Sequence, residues 1–474
     1  MLSTDGAALT DNDPLTININ NPPINTLPGT QTVTEATQTA INGVSVADAN
    51  TDLTSVQVSV GAGTINLTAD GGATLAGNDS ASVTINGTQT EINNTLATLK
   101  YTSQAGITTD TLTVLSTDGT TLTDTDPLTI TINNPPINTL PASPTVDETV
   151  QTAISGLSVG DANTDLTSVQ VSVGAGNVIN LTADGAATLS GNDTNSVTIN
   201  GTQAEINATL ASLKYTSQAG ITTDTLTVLS TDGATLTDTS SLTININNPP
   251  VNALPGSPTV TEATQTPITG ISVADTNTDL TSVQVSVGAG SAINLTADGS
   301  ATLTGNNTNS VTIDGTQAEI NTTLDTLKYT SQVGITTDTL TVLSTDGATL
   351  TDSDPLTINI NNPPINTLPG SPSVTEATQT AISGVSVADA NTDLTSVQVS
   401  VGAGTLNVIA AGSATLSGND VSSITISGTQ ADINTTLANL KYTSNTGITT
   451  DTLTVLATDG TTLTDNDPLT INVN

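Results

Sequence analysis

The chain has 474 residues and carries 43 acidic groups against four lysines, with no histidine, for a formal net charge of −39. That balance excludes the cationic footprint that nucleic acid requires, and it disfavours anionic membrane surfaces for the same reason. With neither cysteine nor histidine, disulfides, thiolate metal sites and the usual acyl-transfer machinery are excluded too.

Taken in order, the chain is organised by Asn-Asn-Pro-Pro, which recurs with its first proline at Pro22, Pro135, Pro249 and Pro363, spacings of 113, 114 and 114 residues. Adjacent prolines fix φ and remove two amide donors, so neither a helix nor a central strand runs through them. These are joints between units of about modal domain size. The expected units are 22–134, 135–248, 249–362 and 363–474. Residues 1–21 match only the tail of a unit and are expected to be the remnant of a preceding repeat, frayed or paired opportunistically with an exposed edge. No basic region followed by an apolar core opens the chain, and no run approaches a membrane span.

The second unit shows the pattern. Thr145 to Glu148 reads as a short strand. Gln151 to Val159 alternates, with Ala153, Leu157 and Val159 inward. Asp161 to Asp165 is a turn rich in Asx residues. Leu166 to Val173 puts Val169, Val171 and Val173 on one face, and shorter strands with hairpin signals follow. The period then changes. Thr202 and Glu205 have capping-box spacing, and Ile206, Leu210 and Leu213 make one apolar face of a short helix. Thr88/Glu91, Thr316/Glu319 and, with a shorter acid, Thr429/Asp432 repeat the box. Lys214 should point out between Leu213 and Tyr215, and the tyrosine should lie in the core with its hydroxyl on nearby backbone. Short strands with regular turns and one small helix predict an all-β fold: a tandem array of antiparallel Greek-key β-sandwiches.

Two features recur in every unit. One is an Asp-x-Asn-x-Asp loop: Asp48, Asn50 and Asp52; Asp161, Asn163 and Asp165; Asp275, Asn277 and Asp279; Asp389, Asn391 and Asp393. Hard cations such as calcium take six to eight oxygens, and alternate residues of a tight loop can converge them. The loop is no EF-hand, because a leucine stands where that motif needs glycine. An Asx turn between two strands is the competing role. The other feature is a glutamate on the first strand: Glu35, Glu148, Glu262 and Glu376, either an edge charge or a ligand. Other acidic pairs, such as Asp124/Asp126, are not complete in every unit. No catalytic set is present, and paired carboxylates without an aromatic platform do not make a glycosidase.

Read together, Asp224 to Gly233, the strands that lead to the joint, the glutamate after it, the Asp-x-Asn loop, and the helix followed by Leu-Lys-Tyr-Thr resemble the cadherin-like repeats of large bacterial surface adhesins. The resemblance covers all four units and the remnant. It implies extracellular, secreted Ig-like sandwiches in long rods, stiffened by calcium at the joints. At the first interior junction it implies Glu35, Asn133, Asn134, Asp161 and Asn163 as ligands. The joint lacks the aspartates of that family, so the cation is expected mainly in the Asp-x-Asn-x-Asp loop. The expected function is a non-catalytic stalk supporting cell adhesion or biofilm formation. Its partners would be neighbouring repeats of a longer chain and cell-surface or matrix ligands held by other domains, with no nucleic acid and no membrane insertion. The alternative is that the repeats themselves bind a glycan or self-associate between cells.

Overall fold

A computed structural model describes residues 2–474. By contact the chain divides into two compact units, Met1–Ile246 and Asn247–Asn474, each described by itself. The first begins with a hairpin, β1 (Leu2–Thr4) and β2 (Thr10–Asn12). A sandwich follows, built from β3 (Ile24–Thr26), β4 (Gln31–Thr34), β5 (Thr39–Ala40), β6 (Ser45–Ala47), β7 (Leu53–Val60), β8 (Thr64–Asn66), β9 (Thr74–Ala76), β10 (Ser82–Asn86), α1 (Gln89–Leu96), β11 (Lys100–Thr102), β12 (Thr109–Asp118) and β13 (Thr123–Asn133).

One layer is a six-stranded sheet in the order β4-β13-β12-β7-β10-β9, and the other is the three-stranded sheet β5-β11-β8. A two-stranded ribbon, β3-β6, stands at the joint end. Alternation decides what lies between the layers. Val56 and Val58 of β7, Leu112 and Val114 of β12, and Ile130 of β13 are fully buried against Ile65 and Tyr101 of the smaller sheet. The intervening threonines, such as Thr111 and Thr129, face solvent. The same sheet orders recur in the second half of this unit and twice in the unit that begins at Asn247, each around a core of its own. Within the sandwich the pairing is antiparallel except at one edge, where β4 runs parallel to β13, Gln31 beside Ile130 and Thr34 beside Asn133. An unbroken antiparallel sandwich is therefore corrected at that edge.

Glycine turns break one expected strand. Gly156 has φ +93°, a conformation that side-chain-bearing residues avoid. The strand near residue 152 stops at Ala153, which is exposed, and Ile154 points inward in its place. The helices form as their sequence dictates. Thr202 accepts from the Glu205 amide, while Glu205 accepts back from the Thr202 amide at 2.9 Å. In the last repeat the Asp432 amide still donates to the Thr429 hydroxyl at 3.2 Å and its carboxylate accepts from the Thr429 and Ser413 hydroxyls at 2.9 and 2.6 Å, but the bond from the Thr429 amide that completes the box does not form, as befits an acid one methylene shorter. Ile206, Leu210 and Leu213 are buried, Tyr215 is buried, and Lys214 is exposed.

Residues 2–20 only partly fit the expectation of fraying. The β1-β2 hairpin forms in register, yet Asp13 to Ile19 belongs to no strand. Leu15, Ile17 and Ile19 are 77%, 74% and 70% exposed.

Candidate metal centre

Each Asp-x-Asn-x-Asp loop is placed by the helix and by the strand that follows it. In the first repeat the Gln89 Oε1 of α1 accepts from the Asp48 amide at 3.1 Å, and the Asn93 side chain bonds both the amide and the carbonyl of Val46, each at 2.8 Å. The helix thus grips β6 and the loop together. Asp48 Oδ1 accepts from the Asn50 amide at 2.8 Å, an Asx turn, and Thr51 sits at φ +61°. Threonine takes up that left-handed conformation at the equivalent position in all four loops, an uncommon arrangement for a β-branched residue. It brings the two aspartates onto one side.

A third aspartate joins them from the neighbouring strand. Asp48, Asp52 and Asp118 each offer a carboxylate oxygen within 4.8 Å of the other two, as do Asp161, Asp165 and Asp232; Asp275, Asp279 and Asp346; and Asp389, Asp393 and Asp459. In each case the pairing register between the two strands shifts by one residue at the third aspartate, as between Thr117 and Asp118. Such bulges re-aim side chains at the ends of sheets. The turn after Asp118 is tied back to the loop, the Gly119 amide donating to the Asp52 carbonyl at 2.8 Å. The sequence reading missed this residue. Its signal was an Asp-Gly pair kept in every repeat at Asp118, Asp232, Asp346 and Asp459.

The third aspartate has donors on both oxygens, with one lone pair left over. Asp232 Oδ1 accepts from the amides of Ala234 and Leu236 at 2.9 and 2.7 Å, and Oδ2 accepts from the Asn133 Nδ2 at 2.8 Å. The loop aspartates do not. Asp161 Oδ2 and Asp165 Oδ1 are buried with no hydrogen-bond partner, and the corresponding atoms in the other three loops are equally bare. Asp161 itself is only 6% exposed. Burial, then the charges of Asp165 and Asp232, pushes its carboxyl above the ordinary range, and the Asn163 amide offsets only part of this. Asp275 and Asp389 are raised in the same way. In the first repeat it is Asp52 that burial and the neighbouring Asp48 and Asp118 push up. Two buried carboxylate oxygens aimed at a third carboxylate, with no donor, are what a hard cation fits.

The asparagines are placed differently from the ligand roles that their spacing and the resemblance implied. Asn163 spends its amide on the joint: Oδ1 accepts from the Asn134 amide at 2.7 Å and Nδ2 donates to the Ile132 carbonyl at 2.8 Å. Asn50 holds Asn21 and Ile19 in this way, and Asn391 holds Asn362 and Ile360. Asn277 accepts from the Asn248 amide at 2.7 Å. Asn133 turns its nitrogen, not its oxygen, to the third aspartate. These amides fix the joint and leave the cluster to carboxylates.

The glutamates lie just past the first strand and apart from the clusters of their own repeats. Glu35, Glu148, Glu262 and Glu376 accept from the amides of Gly106, Gly220, Gly334 and Gly447. Glu262 also accepts from the Asn362 Nδ2 at 2.8 Å. Glu35 lines a cavity of about 550 Å³ together with Asn134 and Asp161, and the side-chain Oδ1 and Nδ2 of Asn134 are buried without partners. A smaller cavity, about 230 Å³, joins Glu262, Asn362 and Asp389.

A tandem of Ig-like sandwiches, each with a buried acidic cluster at its joint end, is the class these observations define. No protein-family model matches the chain, and no curated protein matches it. Among solved structures it is similar to the extracellular cadherin domains of protocadherin gamma B2, at 14% identity over 96% of this chain and 100% of that one, with a TM-score of 0.26. It is similar to an I-band fragment of titin, at 10% identity over 72% and 99% with a TM-score of 0.31. It is also similar to an extracellular fragment of Drosophila N-cadherin, at 13% identity over 94% and 99% with a TM-score of 0.24. Similarity at this level concerns the cadherin and Ig-like type of fold and carries nothing about function.

Proposed function

We propose that this chain is a non-catalytic spacer, an extracellular stalk segment of a bacterial adhesin, in which each repeat holds one calcium ion beside its joint. The carrying observation is the pair of bare, buried carboxylate oxygens in each of four clusters. Asp161, Asp165 and Asp232 would hold the ion, and their counterparts would do so in the other repeats. Bound there, the ion supplies positive charge that offsets carboxylate repulsion. Because Asp232 also binds Asn133, and Asn163 binds the backbone on either side of it, fixing the loop fixes the chain entering the repeat. Calcium added to metal-free protein should raise the thermal midpoint and release heat at a stoichiometry of about one ion per repeat. An unchanged midpoint together with silent calorimetry would remove the ion from the proposal.

A second reading, self-association of the repeats between cells, draws on one recurring feature. The first residue of the joint ribbon is exposed and apolar in every repeat: Ile24, Ile137, Val251 and Ile365, at 60–68% exposure. Glycan binding has no such support, because Tyr101, Tyr215, Tyr329 and Tyr442 are all fully buried. Substituting serine at all four exposed positions tests this reading; undiminished aggregation of beads coated with that variant would end it.

A further inference from the structure

The cavities at the Asn134 joint and at the Asn362 joint have walls that differ in sequence at two positions. Ala105 and Gly160 of the first are Val333 and Ala388 in the second, and the volume falls from about 550 to about 230 Å³. Their polar groups share one unmet need. Asn134 is 4% exposed, and among the described residues neither its Oδ1 nor its Nδ2 has a partner. Asn362 gives its Nδ2 to Glu262 at 2.8 Å, yet its Oδ1 is bare as well. Each joint thus sets an acceptor without a donor in a cavity that a glutamate also lines. Among the described residues no lysine lines either cavity.

We infer that the wider cavity binds a small primary alkylammonium ion. A hard metal ion takes six to eight oxygens. Here the side chains offer the Glu35 carboxylate, the Asn134 Oδ1 and Asp161, which already belongs to the acidic cluster. Gln203 spends its Oε1 on the Asp161 amide at 3.1 Å. The rest of the wall is carbon from Ala105, Pro135, Ile137 and Ala162. A few polar groups in a mainly apolar space of this volume describe a small-molecule site. An alkylammonium brings three N–H donors and an apolar stem. With Asn134 turned to Glu35 as Asn362 is to Glu262, Oδ1 and the Glu35 carboxylate each take one N–H, and water takes the third. The methylenes then cover Pro135 and Ile137, the latter 68% exposed. A net charge of −39 concentrates such cations around the chain.

Titration calorimetry of the full chain with methylamine, n-butylamine and n-butanol, in chelator and in calcium, tests this. Butylammonium should bind in both buffers, tighter than methylammonium by roughly two- to fourfold per added methylene. Butanol should not bind. Glu35→Gln should remove one bound equivalent. Ala105→Val with Gly160→Ala copies the narrower wall and should do the same; a Cβ on Gly160 meets no atom within 4 Å, so the fold has room for it. The reverse pair, Val333→Ala with Ala388→Gly, should add one equivalent. Unchanged thermal midpoints verify that the variants are folded. Affinity indifferent to chain length, a stoichiometry that neither Glu35→Gln nor the narrowing pair lowers, or displacement of the amine by calcium would overturn the inference.

Discussion

Each sandwich buries carboxylates at two places and treats them in opposite ways. Asp110 accepts from the amides of Gly61, Ala62 and Thr111 at 2.9, 3.1 and 2.7 Å. The Tyr101 hydroxyl lies 2.8 Å from its Oδ2, with the Ala62 carbonyl close by at 2.9 Å. Here the chain supplies enough donors, and burial beside the carboxylate pushes the Tyr101 hydroxyl up out of its ordinary range. At the other place Asp48 and Asp52 present bare oxygens to each other and to Asp118. A buried charge left without a donor is costly, so a group whose burial the chain does not itself satisfy must take up a proton or a cation. The contrast separates a carboxylate that serves the fold from one that awaits a ligand.

The largest expected effect tests the second place. Saturating calcium should raise the thermal midpoint by roughly 10 °C or more over protein in chelator, on the basis of ~3 kcal/mol per site at a hundredfold excess over Kd. Scanning calorimetry in the two buffers measures it, and coincident melts would erase the contrast. Next comes Tyr215→Phe, which removes a donor to Asp224 at 3.0 Å. It should cost about 1–3 kcal/mol and leave the calcium increment intact. If it shrank the increment, the two places would not be independent.

Asp165→Asn should reverse sign with conditions. In chelator it relieves the cluster and raises the midpoint; in calcium it lowers the midpoint by removing a ligand. Melts in both buffers that move the same way would contradict the reading. The smallest effect is that of pH. The carboxyls of Asp161, Asp275 and Asp389 are raised above 3.8, so in chelator the native state holds more protons than the unfolded state just above that value. Their contribution is favourable below it and is lost as pH rises through the raised value. Acidifying from neutrality toward that window should stabilise the chelated protein through these groups. The caps oppose this: Glu319, held at about 2 by Ser300 and Thr316, supplies stability above its unfolded value that is lost only as pH falls through the lowered one. With calcium bound, the same acidification should destabilise, as protons displace the ion. Melts across pH in both buffers check the opposite slopes.

What could be read from the sequence was whatever lies within a few residues along the chain. Val169, Val171 and Val173 alternate, so their burial was plain. Thr202 and Glu205 are three apart, so the cap was plain. Asp161 and Asp165 sit in one loop, so half of the cluster was visible. Asp232 was not, because its approach depends on the register of two strands far apart in sequence and on a bulge that no local pattern announces. The turning of Asn163 toward the joint was hidden for a related reason. Its partners, Ile132 and Asn134, precede it by 31 and 29 residues, and spacing alone does not tell an amide that binds a cation from one that binds backbone. The tyrosines were placed in the core correctly, and Tyr101 and Tyr442 reach the backbone carbonyls of Ala62 and Ala403 as expected, but the carboxylate that each hydroxyl also meets, Asp224 for Tyr215, lies on another strand and was not foreseen.

The parallel edge has a mechanical consequence. In the first repeat the strand that enters the sheet, β4, lies beside the strand that leaves it, β13, and both run the same way. Tension applied through the two ends of such a repeat pulls these neighbours past each other. It therefore loads their hydrogen bonds in shear, all together, and does not unzip them one at a time. Each such ladder closes on one more bond at the glutamate, the Glu35 amide donating to the Asn133 carbonyl at 2.8 Å and the Glu376 amide to the Asn474 carbonyl at 2.9 Å, so the shear load is carried past the paired strands to the joint.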